Sequence, residues 1–150
     1  MGRDARILKD ERVGELVQSG WDAYYAGRER WLRSVLARLR GLAPDTPEVV
    51  DLQWRLFYLQ GRLDEAMEEA RRGVALFPED PALQHSVGWC LLELSDPADA
   101  VPYLERCCAL DPDGADAWYD LALAQERLGD EPGAQQAFTR GWEIDRAAAA

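Results

Sequence analysis

The sequence predicts an all-α fold: a helix–turn–helix solenoid of about four stacked repeats. Three observations carry this. Leu42-Ala43-Pro44, Leu76-Phe77-Pro78 and Leu110-Asp111-Pro112 recur every 34 residues. Gly27, Gly61 and Gly129 share one register, with Ser95 in the remaining slot. A small residue follows five positions later as Ala66, Ala100 and Ala134. No segment alternates apolar and polar residues over a strand's length, so no sheet is expected.

The elements follow in order. Residues 1–12 are good helix formers with no breaker before Gly14, and they read as a helical extension or tail. A repeat domain then spans 13–148, in repeats 13–46, 47–80, 81–114 and 115–148. Each repeat divides into helix A, a tight turn, helix B and a connector. Thr46-Pro47 and Asp80-Pro81 place a capping side chain before a Pro at the first helical position. Gly27, Gly61 and Gly129 mark where helix A stops and the backbone needs positive φ. Asp96-Pro97 and Asp130-Glu131-Pro132 restart the chain as helix B, with acids at the positive end of the helix dipole. Pro44, Pro78 and Pro112 end helix B.

Composition narrows the function. The chain has 150 residues and a net charge of −11. Residues 1–46 carry nine basic and seven acidic side chains, whereas 47–150 carry eight basic and twenty-one acidic. Such an acidic surface repels a phosphate backbone, so nucleic acid is not the expected partner. No apolar run approaches the roughly 20 residues that span a bilayer, and the N-terminus lacks a secretory h-region. Neither a membrane partner nor export is expected. Three cysteines, Cys90, Cys107 and Cys108, include an adjacent pair and make no disulfide framework. Free thiols in a reducing cytoplasm are expected, with Cys107 and Cys108 as packing residues.

No catalytic arrangement is visible. There is no Gly-x-Ser-x-Gly, phosphate-cradling loop, His-Glu-x-x-His or Cys-x-x-Cys. One histidine, His85, excludes any two-histidine metal site. His85 and Cys90 are five apart, about 140° around a helix, and so face different ways. The expectation is no enzyme, no metal and no cofactor.

The register resembles the tetratricopeptide repeat. Repeat 115–148 matches best, with Trp118, Leu121, Ala122, Gly129, Ala134 and Phe138 at its characteristic positions. Repeat 81–114 supplies Val87, Gly88, Leu91, Ala100, Leu104 and Pro112. Repeat 47–80 departs at the eighth position, where Trp54 replaces a small residue, and repeat 13–46 puts Leu32 where Ala is expected. The first repeat is therefore degenerate.

The resemblance implies a non-catalytic module that binds a peptide or amphipathic helix, as adaptor or scaffold. It implies a concave groove lined by helix A. The groove residues would be Val17, Trp21 and Tyr24, then Asp51, Arg55 and Tyr58, then His85, Trp89 and Leu92, then Tyr119 and Leu123. Aromatic side chains of this kind dominate binding hot spots. Trp54 and Trp118 face helix B and are expected in the core. The chain has no Asn, and its one Lys, Lys9, lies outside the repeats. It therefore lacks the Lys and Asn clamp with which one subclass of the family holds acidic tails of heat-shock proteins. The partner implied is another polypeptide, basic or amphipathic. A second reading is a translocator-class chaperone of type III secretion, which is similar in size, acidity and repeat content. A third is a structural part of an oligomer.

One edge stands out. In a solenoid each helix B is covered by the next repeat. After Trp142, Ile144 and Arg146 only Ala147 to Ala150 remain. Phe138 and Trp142 are therefore expected to form an uncovered oligomer edge, which either docks onto another copy, giving a homodimer, or is covered by further repeats of a longer protein; the homodimer is the favoured expectation.

Overall fold

A computed structural model describes residues 2–150. Among them it forms eight α-helices and no strand. They are α1 (Gly2–Tyr25), α2 (Glu29–Leu42), α3 (Pro47–Leu59), α4 (Leu63–Leu76), α5 (Pro81–Glu93), α6 (Pro97–Leu110), α7 (Ala115–Arg127) and α8 (Glu131–Ala148). The odd-numbered helices are the A helices and the even-numbered ones the B helices.

The boundaries follow from local chemistry. Thr46 accepts a hydrogen bond from the Val49 N–H, and Asp80, Asp96 and Asp130 do the same for Leu83, Asp99 and Gly133. Each cap satisfies a backbone donor that the first helical turn leaves orphaned. Helices α2, α4 and α6 end at Leu42, Leu76 and Leu110, each two residues before its proline. At the four A-to-B turns the backbone is left-handed: φ is 65° at Gly27, 71° at Gly61, 61° at Ser95 and 79° at Gly129. Ser95 thus adopts the glycine conformation without being glycine.

The chain divides into two compact units, Met1–Gly73 and Val74–Ala150. In the N-terminal unit α1 packs on α2 and α3, and α2 on α3. Leu32, Val35, Leu36 and Leu39 of α2 and Val49, Leu52 and Leu56 of α3 bury a continuous core with Ala23 of α1. Their spacing puts them on one stripe of each helix. Gly20 lets α1 approach α3: a Cβ there would lie 2.7 Å from a Leu52 methyl.

In the C-terminal unit α5 packs on α6, α6 on α7 and α7 on α8, with α5 also touching α7. Leu83, Val87, Cys90, Leu91 and Leu104 are buried there. Gly88 plays the part of Gly20: a Cβ would stand 2.6 Å from Leu104 Cγ. Cys107 and Cys108 are buried packing residues. Burial, with nearby acids, pushes the Cys107 thiol up to about 11 and Cys108 to about 12. Both are protonated and unreactive at neutral pH.

Candidate functional site

The A helices carry the residues that the repeat register assigns to a groove, and each unit presents its own set. In the N-terminal unit, Val17, Trp21 and Tyr24 of α1 and Arg55 and Tyr58 of α3 are half-buried. Val17, Trp21 and Tyr24 lean against the core, leaving part of each ring or side chain open. The Arg55 guanidinium sits among three aromatic rings, 4.7 Å from the centroid of Trp21, 4.8 Å from Tyr24 and 4.5 Å from Trp54. A guanidinium within about 6 Å of a ring face is attracted by the ring quadrupole. Trp21 and Tyr24 meet edge to face, and Trp54 meets Tyr58 the same way.

Asp51 is the hinge of this cluster. Its Oδ1 accepts from the Trp54 indole N–H at 2.6 Å and from Arg55 Nε at 3.2 Å. One carboxylate thereby satisfies a buried indole and holds a cation against the aromatic rings. Asp51 is itself buried, at 5% exposure, so the expectation that it lines an open groove is corrected. Its partners draw it inward. The spacing could have shown this: Asp51, Trp54 and Arg55 stand at i, i+3 and i+4, which share one helix face. Trp54 lies in the core, as its slot predicts.

In the C-terminal unit His85 and Trp89 of α5 and Tyr119 of α7 are half-buried, and Leu123 is exposed. Leu92 is only 4% exposed, so its expected place on the groove wall is also corrected. Arg127 Nη1, at the end of α7, donates to the Leu92 carbonyl at 3.1 Å. His85 Nε2 meets Asp120 Oδ2 at 2.6 Å, tying α5 to α7. Trp118 is half-buried rather than core, and its indole N–H donates to the Pro112 carbonyl.

A groove of about 810 Å³ opens between α7 and α8. Its walls include Tyr119, Leu123, Glu126, Phe138 and Trp142. Phe138 is 55% and Trp142 49% exposed. The Tyr119 ring lies 5.5 Å from Phe138 and directly over Gly141. Its hydroxyl donates to Asp145 Oδ2 at 2.7 Å, a bond that raises the Tyr119 pKa. Arg146 stacks on the Trp142 ring at 5.2 Å.

Known proteins share this repeat. Residues 88–149 match the family model described as tetratricopeptide repeat. The tetratricopeptide repeat-containing protein trd-1 of Caenorhabditis elegans is 29% identical over 77 residues, 51% of this chain and 10% of trd-1. Residues 88–149 are thus similar to the tetratricopeptide repeat (TPR) family. The chain spans about a tenth of the length of that curated relative. Among solved structures, the crystal structure of MamA superposes with a TM-score of 0.74 at 18% identity, covering 97% of this chain and 86% of that one. TTC0263, a thermophilic TPR protein of Thermus thermophilus, superposes with a TM-score of 0.77 at 16% identity over 89% of this chain and 75% of its own. The second TPR of Spaghetti (RPAP3), solved bound to an HSP90 peptide, superposes with a TM-score of 0.63 at 19% identity over 65% and 91%. These likenesses show the TPR solenoid fold.

Among the described residues no helix of this chain is long and apolar enough to cross a membrane. None of its His, Cys, Asp and Glu side chains, among those described, gather in threes to hold a metal ion.

Proposed function

We propose that this chain is a non-catalytic protein–protein interaction module that holds a peptide or amphipathic helix against the aromatic faces of its A helices. It would act as an adaptor or scaffold. The observation that carries the reading is the Arg55 cluster. Trp21 and Tyr24 are large, half-exposed rings fixed in place by a guanidinium and the core. Pre-set aromatic surface of this kind lowers the entropy cost of binding. Trp89, Tyr119 and Leu123 extend the same chemistry in the C-terminal unit. The solved HSP90-peptide complex of the RPAP3 repeat supports a TPR face as a peptide receptor.

The partner would be basic or amphipathic. Residues 47–150 carry thirteen more acidic than basic side chains, and opposite charge speeds encounter. The test is a titration of a partner captured by the tagged protein. Trp21→Ala and Trp89→Ala should each weaken binding by about 1–3 kcal/mol while circular dichroism shows the helical fold retained. Unaltered affinity in the double variant would remove the A-helix faces from the binding site.

A further inference from the structure

The repeat supplies its own template for what belongs in the α7–α8 groove. Residue 138 stands 34 positions after Leu104, and 142 stands 34 after Cys108. On α6, against which α7 packs, Leu104 and Cys108 are buried; on α8 the matching Phe138 and Trp142 are open. The α7–α8 groove is thus the seat that α7 fills one repeat earlier. What fills that seat is a 13-residue helix, α7 itself. Asp120 and Arg127 reach back to His85 and the Leu92 carbonyl, which fixes its inward face. Ala117 and Ala124 lie on that face at helical spacing and are buried.

We propose that the α7–α8 groove is a docking site for an amphipathic α-helix of a partner protein, with small apolar residues facing Phe138 and Trp142 and an Arg or Lys opposite Glu126. The charge follows from the register. Arg127 of α7 reaches the Leu92 carbonyl, and 34 residues after Leu92 stands Glu126. A basic side chain at the matching place in the occupant meets a carboxylate as well as a carbonyl. Among the described residues that line the groove beside Glu126, none is a cation.

A second copy of the chain fits poorly. Its first A helix, α1, has Glu15, Gln18, Asp22 and Tyr25 where α7 has Ala117, Asp120, Ala124 and Arg127. All four are exposed, and Gln18 donates to Asp22 along the helix surface. That edge is polar and solvated. Pairing two α7–α8 faces would oppose surfaces that hold seven acids and three arginines over residues 115–148. Like charges across a contact disfavour it.

The probe is a fluorescein-labelled peptide of residues 113–130 carrying Asp116→Lys and Asp120→Lys, titrated into the full chain by anisotropy. Saturable binding is expected. Trp142→Glu should weaken it at least tenfold, and Glu126→Arg about two- to fivefold at low salt. Arg38→Ala, at an exposed position of α2 outside both sites, should leave it unchanged. Circular dichroism checks that each variant keeps its helix content. Absence of binding, or binding indifferent to both groove variants, would overturn the assignment. So would a dimer in light scattering that Trp142→Glu converts to a monomer, because a second copy would then be the occupant.

Discussion

Helices α6 and α8 occupy the same place one repeat apart, yet their outer faces differ in size and exposure. Leu104 and Cys108 of α6 are 0% and 3% exposed, while Phe138 and Trp142 of α8 are 55% and 49% exposed. Where a neighbouring helix arrives, the side chains are compact and Gly88 leaves them room. Where none is seated, the same positions carry two large rings. Burial in a solenoid is set by the neighbour and not by the slot. The same sequence register therefore encodes core in one repeat and an exposed aromatic surface in the next.

The sharpest way to break this comparison is to truncate both positions. Leu104→Ala should lower stability by about 2–5 kcal/mol, because it opens a cavity against Gly88 and α7. Phe138→Ala should lower it by about 1 kcal/mol or less, because half the ring is already in water. Denaturant unfolding of the two variants measures the gap. Similar losses would mean that α8 buries its face in solution and that the groove is closed.

A second contrast lies between the aromatic faces of the two units. In the N-terminal unit one buried carboxylate, Asp51, organises Trp54 and Arg55; in the C-terminal unit the His85–Asp120 pair joins two helices instead. Asp51→Ala should therefore cost about 1–3 kcal/mol, the loss of charge-assisted hydrogen bonds to the buried Trp54 indole and to Arg55. Trp21 and Tyr24 would lose their cation as Arg55 swings free. Loss of stability with unchanged near-ultraviolet circular dichroism would show that Asp51 packs without ordering the rings.

Much of the fold was legible in the chain. The 34-residue period, the Asp and Thr caps and the prolines are local signals, and each acts within a few residues of itself. Depth within the A helices was not legible. Asp51, Arg55 and Tyr58, like the groove residues of the other repeats, share a helix face, but how far each is covered depends on the next helix. Leu92 is buried and its carbonyl is met by Arg127 of α7, a long-range contact that no periodicity of α5 can announce. Asp51 is drawn in by an indole three residues away, a pairing that competes with the exposure usual for a carboxylate. Trp118 was expected in the core by family slot, yet its N–H is satisfied at the Pro112 carbonyl near the surface.

The four A-to-B turns offer the finest comparison, since they differ by one side chain. Gly27, Gly61 and Gly129 adopt positive φ at no steric cost, while Ser95 holds φ 61° with a Cβ. The left-handed region costs a non-glycine residue roughly 1–2 kcal/mol. Glycine loses more backbone freedom on folding, about 0.5–1 kcal/mol. The two effects oppose each other, and the steric one is larger. Ser95→Gly should therefore stabilise the chain by about 0.5–1 kcal/mol, raising the melting temperature by roughly 1–4 °C for a protein of this size. Gly129→Ser should do the reverse by a similar amount, because no atom lies near enough to compensate the strain. Ser95 is exposed, so neither change disturbs the core. If Ser95→Gly lowers the melting temperature instead, the serine side chain contributes to this turn something that glycine cannot, and the four turns are not equivalent.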